Sequence, residues 1–384
     1  MDPRRKALIA LGVAIPVLGG VLFAVTRGDD APPPTTEAAV PTTTVPVTVW
    51  PLTGLPAPDG APVDRPAIAV KVSNSPDARP QVGLDVADIV IEERVEGITR
   101  LIAIFHSTPS APVGPIRSAR DSDIDLLGAL GRPVFVWGGA NEGVAARVEG
   151  ANVVSFNVDP DAAEDKYRDE ARVAPDNLFI DSTDAFWAKA GDASPAVPPI
   201  PVGNAAGGPT GTSTTTTIPS TTVAPPTTAP TTSAPASTLP GIPTPAVSVD
   251  YGGTQADFVW DAERLGWARI QDGTPHVVAS GAVLAPTNVV LLLTPYGTAP
   301  SDPNSPIALT TGSGDATVLI GGNAVDATWS RPTATDPYTL VDDATGQPLV
   351  LPPGRTWVGL PESGVTRLDQ AQADQLASLI PAVG

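Results

Sequence analysis

The sequence has no cysteine and few histidines and lysines among its 384 residues. Without cysteine, the chain cannot form a disulfide scaffold, a cysteine-ligated zinc or iron–sulfur site, a cysteine nucleophile, or a lipid-modified cysteine near the N-terminus. His106 and His276 are the only histidines, so a multi-histidine metal site is not expected. Only four of the 22 basic residues are lysines, so most positive charge is arginine, which binds carboxylate and phosphate bidentately.

Recognisable catalytic motifs are also missing. The sequence has no P-loop, no G-x-S-x-G, no H-E-x-x-H and no complete EF-hand loop. The stretch Asp121-Ser-Asp-Ile-Asp125 resembles the start of a calcium loop, but it lacks the glycine at the sixth position and a correctly spaced terminal glutamate. We interpret it as a polar helix start with acids at the positive end of the helix dipole. The sequence predicts no cofactor and no metal, and it leaves open whether the protein is an enzyme.

The first 26 residues are typical of a membrane anchor. Arg4, Arg5 and Lys6 precede 20 uncharged residues, Ala7 to Thr26. A helix of that length spans a hydrocarbon core of ~30 Å, and the preceding basic cluster favours a cytoplasmic N-terminus. A cleavable signal peptide is the alternative, although signal h-regions run roughly 7–15 residues and no clear A-x-A site follows. We predict a single-pass cell membrane protein with a cytoplasmic tail at 1–6, a transmembrane helix at 7–26 and an extracytoplasmic bulk.

The part of the chain beyond Arg27 is strongly acidic. It carries 18 basic residues (22 less Arg4, Arg5, Lys6 and Arg27) against 40 acidic ones (41 less Asp2). Such a negative field disfavours nucleic acid and anionic lipid surfaces as general partners. The simpler interpretation is that the negative charge keeps the protein soluble. We therefore expect no nucleic-acid partner.

Two stretches rich in proline and threonine are predicted to be disordered linkers, at 27–50 and 192–246. The second includes Thr212-Ser-Thr-Thr-Thr-Thr-Ile218 and carries little charge and few large apolar side chains. It cannot bury enough surface to offset chain entropy. Either an extended spacer or an O-glycosylated stalk fits this composition.

Between the linkers, residues 51–191 are predicted to form a mixed α/β domain. Strand-like apolar runs lie at 66–72, 87–95, 99–106 and 133–137. Helix-compatible segments lie at 122–130, 141–149 and 182–190, the last preceded by a Ser/Thr cap. Strands mixed with helices indicate a layered domain.

Residues 247–362 are predicted to form a mainly antiparallel β domain. Many short strand-like runs alternate there with turn signals such as Gln271-Asp-Gly273 and Gly321-Gly-Asn323. Residues 363–384 are compatible with a C-terminal helix or tail. The predicted fold class is therefore α+β, with a mixed α/β domain, then a β-rich domain, plus one N-terminal transmembrane helix.

The residues that could carry function are arginines and acids of the first predicted domain. Arg117 and Arg120 follow Gly114-Pro115, where a turn into a helix would present both guanidinium groups and free N–H groups to an anion. Asp88 and Glu92 fall on one face of a predicted strand. Structural Arg–carboxylate pairing across strand ends is one interpretation. The other is an arginine-lined pocket for phosphate or carboxylate, with Asp88 or Glu92 as acid/base or metal ligand.

Several motifs of both predicted domains resemble the exported DUF3048 proteins, a YerB-like family described as lipoproteins. The matching stretches are Pro51-Leu-Thr-Gly-Leu55, 79–92, 96–101, Val113-Gly-Pro-Ile-Arg-Ser-Ala-Arg120, Tyr167-Arg-Asp169, Ala174-Pro-Asp-Asn-Leu-Phe179, Gly273-Thr-Pro-His276, Gly312-Ser-Gly314, Thr328-Trp329 and Pro353-Gly-Arg-Thr-Trp357. They occur in order and cover both predicted domains but neither linker. The resemblance implies a two-domain exported protein and supplies no established reaction.

The chain departs from the family pattern at two histidines and at the lipidation cysteine. Ser75 and Asp176 stand where family members often have histidine. If those histidines are catalytic or metal-binding in relatives, this protein is weakened in that role. The polar groups that the chain retains are the candidate ligand-binding residues: Asn74, Arg79, Asp88, Glu92, Arg100, Arg117, Arg120, Arg168, Asp169, Arg172 and Asn177.

Two functions remain open from the sequence. The first is a non-catalytic module that binds an anionic envelope ligand or a partner protein through an arginine-rich cleft. The alternative is an envelope enzyme that acts on phosphate-bearing or glycan substrates with Asp88, Glu92 and the arginines. Convergence of the arginines on one cleft with either carboxylate would favour a ligand site, whereas scattered surface pairs would leave a scaffold role.

Overall fold

The computed structural model describes residues 45–204, 213–215 and 239–383. The predicted transmembrane helix 7–26 lies outside these residues, as do most of the predicted linker 27–50 and the middle of the predicted linker 192–246. Within the described ranges no helix is both long enough and apolar enough to cross a membrane.

The first half of the described chain mixes strands with short helices, as its composition predicts. Its strands are β1 Val45–Val47, β2 Ile68–Ser73, β3 Ile89–Arg94, β4 Thr99–Phe105, β5 Val134–Trp137, β6 Val154–Asn157, β7 Lys166–Arg168, β8 Leu178–Ile180 and β9 Ser213–Thr215. Its helices are α1 Asp121–Leu127, α2 Glu142–Glu149 and α3 Thr183–Ala188, with 3-10 turns at Pro76–Ala78 and Gly128–Leu130.

The second half is mainly β-structure with one described helix. Its strands are β10 Ile242–Pro243, β11 Ala246–Asp250, β12 Gln255–Asp261, β13 Gly266–Gln271, β14 Thr274–Pro275, β15 Asn288–Leu292, β16 Tyr296–Thr298, β17 Pro306–Ala308, β18 Gly312–Ile320, β19 Asn323–Arg331, β20 Thr339–Asp342, β21 Thr356–Leu360 and β22 Val365–Leu368. Helix α4 spans Gln370–Ala377.

Strands from both halves join one mixed sheet, in the order β10-β19-β18-β15-β21-β3-β4-β2-β5-β6, with β20 beside β19. The junction is the parallel pair β21–β3, in which Thr356 lies opposite Ile89. The sequence predicts instead a separate antiparallel domain after 247. The shared sheet has a physical reason: β3 is buried at every position but its last, and β21 pairs with backbone groups that would otherwise be buried without partners.

A second sheet, β14-β13-β12-β11-β22, covers one face of the large one. Alternate residues of β2 divide between the two faces: Ile68 and Val70 pack with Phe258 and Trp267 of the small sheet, whereas Ala69 joins the core beneath α1 and α2. The outer face of the small sheet is covered by α4 through Ala373. The described residues thus form stacked layers with cores on both sides of the large sheet.

Both ends of the predicted 192–246 linker belong to this folded body. Ile200 and Val202 are buried, and Val202 forms a parallel bridge to Leu351. Leu239 and the strands β10 and β11 resume the described chain before residue 247. Ile200 and Val202 pack against the core although their proline-rich surroundings predict a linker.

Replacing Gly359 of β21 with alanine is expected to destabilise the fold by about 1–3 kcal/mol through overpacking. A Cβ there would lie 2.2 Å from the Tyr251 hydroxyl and 2.8 Å from Leu291 Cδ2. Urea unfolding measures the effect. Gly364→Ala is the matched control, because nothing lies within 4 Å of its added Cβ.

A second substitution tests the cause. The Tyr251 hydroxyl has no hydrogen-bond partner among the described residues, so Tyr251→Phe should cost little alone and recover part of the stability lost in Gly359→Ala. Equal losses in Gly359→Ala with and without Tyr251→Phe would show that the hydroxyl contact is not the cause.

Candidate functional site

A polar cleft lies at the carboxyl ends of the parallel strands β2, β5 and β6, the usual position of ligand sites in such sheets. Gly138-Gly139 follow strand β5, and the chain then enters α2, whose N-cap Asn141 accepts a hydrogen bond from Val144 N at 2.8 Å. The loop that carries Arg117 lies on the other side of the cleft.

Three of the predicted arginines line this cleft, which has a volume of about 400 Å³. They are Arg117, Arg120 and Arg168, and they share the wall with the carboxylates of Asp159 and Asp302. The predicted convergence is thus met only in part: Arg117 and Arg120 line the cleft with Arg168, whereas the other candidate arginines and both strand carboxylates do not line it.

The three arginines differ in how far neighbouring acids already neutralise them. Arg120 makes a bidentate pair with Glu96, with N–O distances of 2.9 and 2.8 Å, and Arg168 lies 2.8 Å from Asp159. Arg117 lies only within 3.6 Å of Asp176, and its guanidinium makes no hydrogen bond within the described chain. Arg117 is therefore the cation of the cleft with most unused hydrogen-bonding capacity.

Arg100 adds positive charge beneath the cleft. Its side chain is buried, donates to the Ser118 carbonyl at 3.1 Å and lies 3.8 Å from Glu96. Burial, followed by repulsion from Arg120, lowers the pKa of Arg100 to about 10. The guanidinium thus remains charged at neutral pH, and an anion in the cleft would relieve the repulsion.

Glu92 and Asn74 belong to a different, fully buried network between the two sheets. The Glu92 carboxylate accepts hydrogen bonds from Arg269 at 2.6 Å, Thr99 at 2.8 Å and Trp357 at 3.1 Å. Asn74 donates to Thr99 at 2.6 Å. Because both Glu92 oxygens are occupied and the residue is inaccessible, the predicted acid/base or metal role for Glu92 is not supported.

The network continues on the small sheet. Arg269 donates to Gln271 at 2.8 Å and lies 2.7 Å from His276 Nδ1, while His276 Nε2 lies 2.9 Å from Gln81 Oε1. Burial, and then the charge of Arg269, hold the pKa of His276 well below its usual range. A neutral ring with Nε2 protonated satisfies both contacts. Arg269 and Gln81 are not among the candidates predicted from the sequence. Gln81, His276 and Trp357 do lie in the stretches that resemble the family, whereas Arg269 lies in none of them.

Asp88 lies at the opposite end of the sheet and organises a turn. It is buried and accepts hydrogen bonds from the backbone N–H groups of His106 at 2.5 Å and Ser107 at 2.8 Å, and from the Ser107 hydroxyl. Burial raises the pKa of Asp88. Asp88 does not line the cleft, so its predicted role beside the arginines is not supported.

The remaining candidates hold loops together. Arg172 donates to the carbonyls of Ala78 at 3.0 Å and Pro80 at 2.7 Å and lies 3.4 Å from Asp169. Arg79 lies 3.7 Å from Asp272. In addition, Asn177 accepts from Arg168 at 3.2 Å.

The two positions that depart from the family's histidines meet in space. Ser75 donates to Asp176 at 2.7 Å although 101 residues separate them. Asp176 also faces Arg117, next to Pro175 in the cleft wall. Ser75 and Asp176 therefore place a hydroxyl and a carboxylate side by side next to Arg117.

The calcium-like stretch begins α1, as interpreted from the sequence. Asp123 accepts from Arg120 N at 2.7 Å and from buried Lys71 at 2.6 Å, and Asp121 pairs with Arg147 at 2.7 Å. Over the ranges described, no group of three or more histidine or acidic side chains is arranged to hold a metal ion.

Comparisons with known proteins give one consistent match. Profiles described as the N-terminal and C-terminal domains of "Protein of unknown function (DUF3048)" match residues 52–195 and 247–358. A Bacillus subtilis (strain 168) protein named "Putative lipoprotein YerB" is 46% identical over 100 residues, which cover 26% of this chain and 30% of that protein. The chain thus matches under a third of this relative's length.

The crystal structure of the YerB protein from Bacillus subtilis has the same fold. It superposes with a TM-score of 0.65 at 23% identity, covering 83% of this chain and all of that one. At this identity the likeness establishes the fold alone.

Replacing Arg269 with methionine is expected to destabilise the protein by about 3–5 kcal/mol, because it leaves Glu92 buried and unpaired. Chemical unfolding measures the loss. The double variant Glu92→Gln/Arg269→Met removes both charges and should recover a large part of it. A double variant no more stable than Arg269→Met would contradict the unpaired charge as the cause.

Stability should fall as the pH drops from 6.5 to 4, because His106 is held neutral in the fold. Its ring packs edge-on against Trp50 at 5.4 Å, Nε2 lies 3.0 Å from the Arg65 carbonyl, and burial lowers its pKa to about 4. The unfolded state binds the proton first, so the expected contribution is about 3 kcal/mol at pH 4 relative to pH 7. Urea unfolding across this range tests it. His106→Gln should show a shallower slope, and equal slopes would refute the assignment to His106.

Proposed function

The chain belongs to the DUF3048 family, and we propose that it is an extracytoplasmic protein that binds a carboxylate- or phosphate-bearing component of the cell envelope in the arginine cleft. The observation that carries the proposal is the Arg117 guanidinium, which lines the cleft with no hydrogen bond from the described chain. A buried or half-buried arginine usually donates hydrogen bonds to carboxylates or carbonyls. Here the guanidinium has only the 3.6 Å ion pair with Asp176, so it retains N–H groups for a ligand in the cleft that it lines.

The surroundings of Arg117 fit recognition of an anion. Its planar fork can grip a carboxylate or phosphate through two parallel hydrogen bonds. Arg100 and Arg120 add positive charge next to it, and Gly138 and Gly139 bring the backbone close without side chains. These features support binding of one acidic group at the base of the cleft.

The acids of the cleft support a ligand that also carries hydroxyl groups. Asp159 and Asp302 lie in the same wall as Asn141, and carboxylates accept hydrogen bonds from hydroxyls. They also disfavour a highly charged anion by repulsion. An acidic glycan, with one charged group and several hydroxyls, combines both requirements.

Location at the membrane is part of the proposal. It is supported by the uncharged run 7–26 and by the name of the Bacillus relative as a lipoprotein. Lacking cysteine, this chain would use that segment, with its N-terminus cytoplasmic, in place of a lipid. The enzyme alternative has less support, because Asp88 and Glu92 both lie outside the cleft with their oxygens engaged.

The proposal predicts that Arg117→Gln weakens binding of an acidic sugar at least about tenfold, because charge-assisted hydrogen bonds contribute about 1.5–3 kcal/mol. Calorimetric titration of the full-length chain with N-acetylmuramic acid and with inorganic phosphate measures it. Arg132→Gln is the matched control, since Arg132 precedes β5 at the end away from the cleft and pairs with Asp192.

Equal affinities for the wild type and Arg117→Gln would refute the cleft as the site. Ligand recovered unchanged after prolonged incubation supports a binding function. Turnover of a glycan or polyprenyl phosphate that depends on Arg117 would replace the binding function with the enzyme alternative. Loss of binding in Arg132→Gln as well would show that the effect of Arg117→Gln is not specific.

A further inference from the structure

A second cavity, of about 440 Å³, lies at the other end of the large sheet. It opens beside the first residues of β3 and β21, whereas the arginine cleft lies beyond the last residues of β2 and β5. Strands β2 and β3 point the same way, because each is antiparallel to β4. The two spaces therefore lie at opposite ends of the strands, and they share no lining residue.

The floor of this cavity is apolar and already well packed. Leu84, Val90, Leu284 and Trp357 form its base and are each at most 5% exposed. Most of the apolar surface open to a ligand therefore comes from Val283, Pro286 and the C-terminal tail. Its volume lies within the range of small-molecule sites, about 300–1,000 Å³, in which apolar linings with few polar groups are the rule.

The C-terminal tail supplies one wall. Pro381 and Val383 line the cavity, and the Pro381 carbonyl accepts a hydrogen bond from Arg264 at 2.7 Å. Val383 is 52% exposed. An apolar ligand in the cavity would cover this side chain and gain the corresponding hydrophobic free energy.

The rim carries one available positive charge. Arg355 lines the cavity and is exposed, and in the described ranges its guanidinium has neither an ion pair nor a hydrogen bond. Arg264 differs, because it is paired with Asp261 and bound to the tail. The rim also contains Asp85, which would repel a multiply charged group. One free arginine beside one carboxylate suits a singly charged head group.

We propose that this cavity binds a fatty acid, with its chain along the apolar lining between Val283, Pro286 and the C-terminal tail and its carboxylate at Arg355. The site is independent of the arginine cleft and of the function proposed for it. It matches the two ends of the ligand separately: apolar surface for the chain, and a single unpaired guanidinium for the head.

The test is photolabelling of the full-length chain in phosphatidylcholine nanodiscs with a diazirine analogue of decanoate, mapped by mass spectrometry. Saturable labelling is expected in the peptides containing 281–286 and 381–383. Arg355→Gln should reduce the affinity about tenfold, since it removes a charge-assisted hydrogen bond. Ala282→Trp should abolish labelling, because residue 282 is an exposed part of the lining that a large ring would fill.

Arg117→Gln is the matched control and should label like the wild type, which separates this site from the cleft. Decanoate should compete and decanol should not. Unsaturable labelling, equal competition by decanol, or unchanged affinity in Arg355→Gln would each overturn the proposal. Stronger competition by decyl phosphate than by decanoate would contradict the carboxylate head group. Arg355→Gln changes an exposed side chain, so its result stands even if Ala282→Trp fails to fold.

Discussion

The ion pair between Glu92 and Arg269 is the interaction on which the arrangement of the two sheets depends. It joins the large sheet to the small one across 177 residues of chain, with both side chains inaccessible to water. Removing two charges from water costs several kcal/mol for each ion, and their attraction offsets this only if the remaining polar atoms are also satisfied. The surrounding hydrogen bonds from Thr99 and Trp357 meet most of that requirement. A shift of one sheet relative to the other would therefore leave a buried charge unpaired.

The same constraint explains why several candidate residues are structural. A carboxylate on a strand suggests a catalytic group when only the sequence is known, but a buried carboxylate whose two oxygens already accept hydrogen bonds is closed to a substrate. Glu92 binds Arg269 at the junction of the sheets, and Asp88 accepts hydrogen bonds from the turn after β4. A binding residue differs from these because it has unused hydrogen-bonding groups at an accessible place, as Arg117 does.

The sequence predicted local features well and non-local ones poorly. The apolar runs at β2 to β5 and the cap before α3 follow from the residues themselves, and so does the placement of Arg117 and Arg120 near one another. The pairing of β21 with β3 could not be predicted, because a strand's apolar pattern states that it is buried but not which strand lies beside it. Arg269 was overlooked for the same reason: an arginine inside a short strand gives no sign that its partner is a glutamate in the other half of the chain.

In the loop beneath the cleft, the backbone of Arg117 is fixed by hydrogen bonds but its side chain makes none. Arg117 N donates to the Lys71 carbonyl at 2.9 Å, and Gly138 N donates to the Arg117 carbonyl at 3.0 Å. Lys71 itself is buried between Glu93 and Asp123, so its strand cannot shift without breaking two ion pairs. The main chain of Arg117 is thus held on both sides, whereas its guanidinium has only the 3.6 Å ion pair with Asp176 and no hydrogen bond. A purely structural arginine would have its side chain engaged as firmly as its backbone. A fixed backbone that carries a guanidinium without hydrogen bonds lowers the entropic cost of binding an anion, because mainly the ligand has to be ordered.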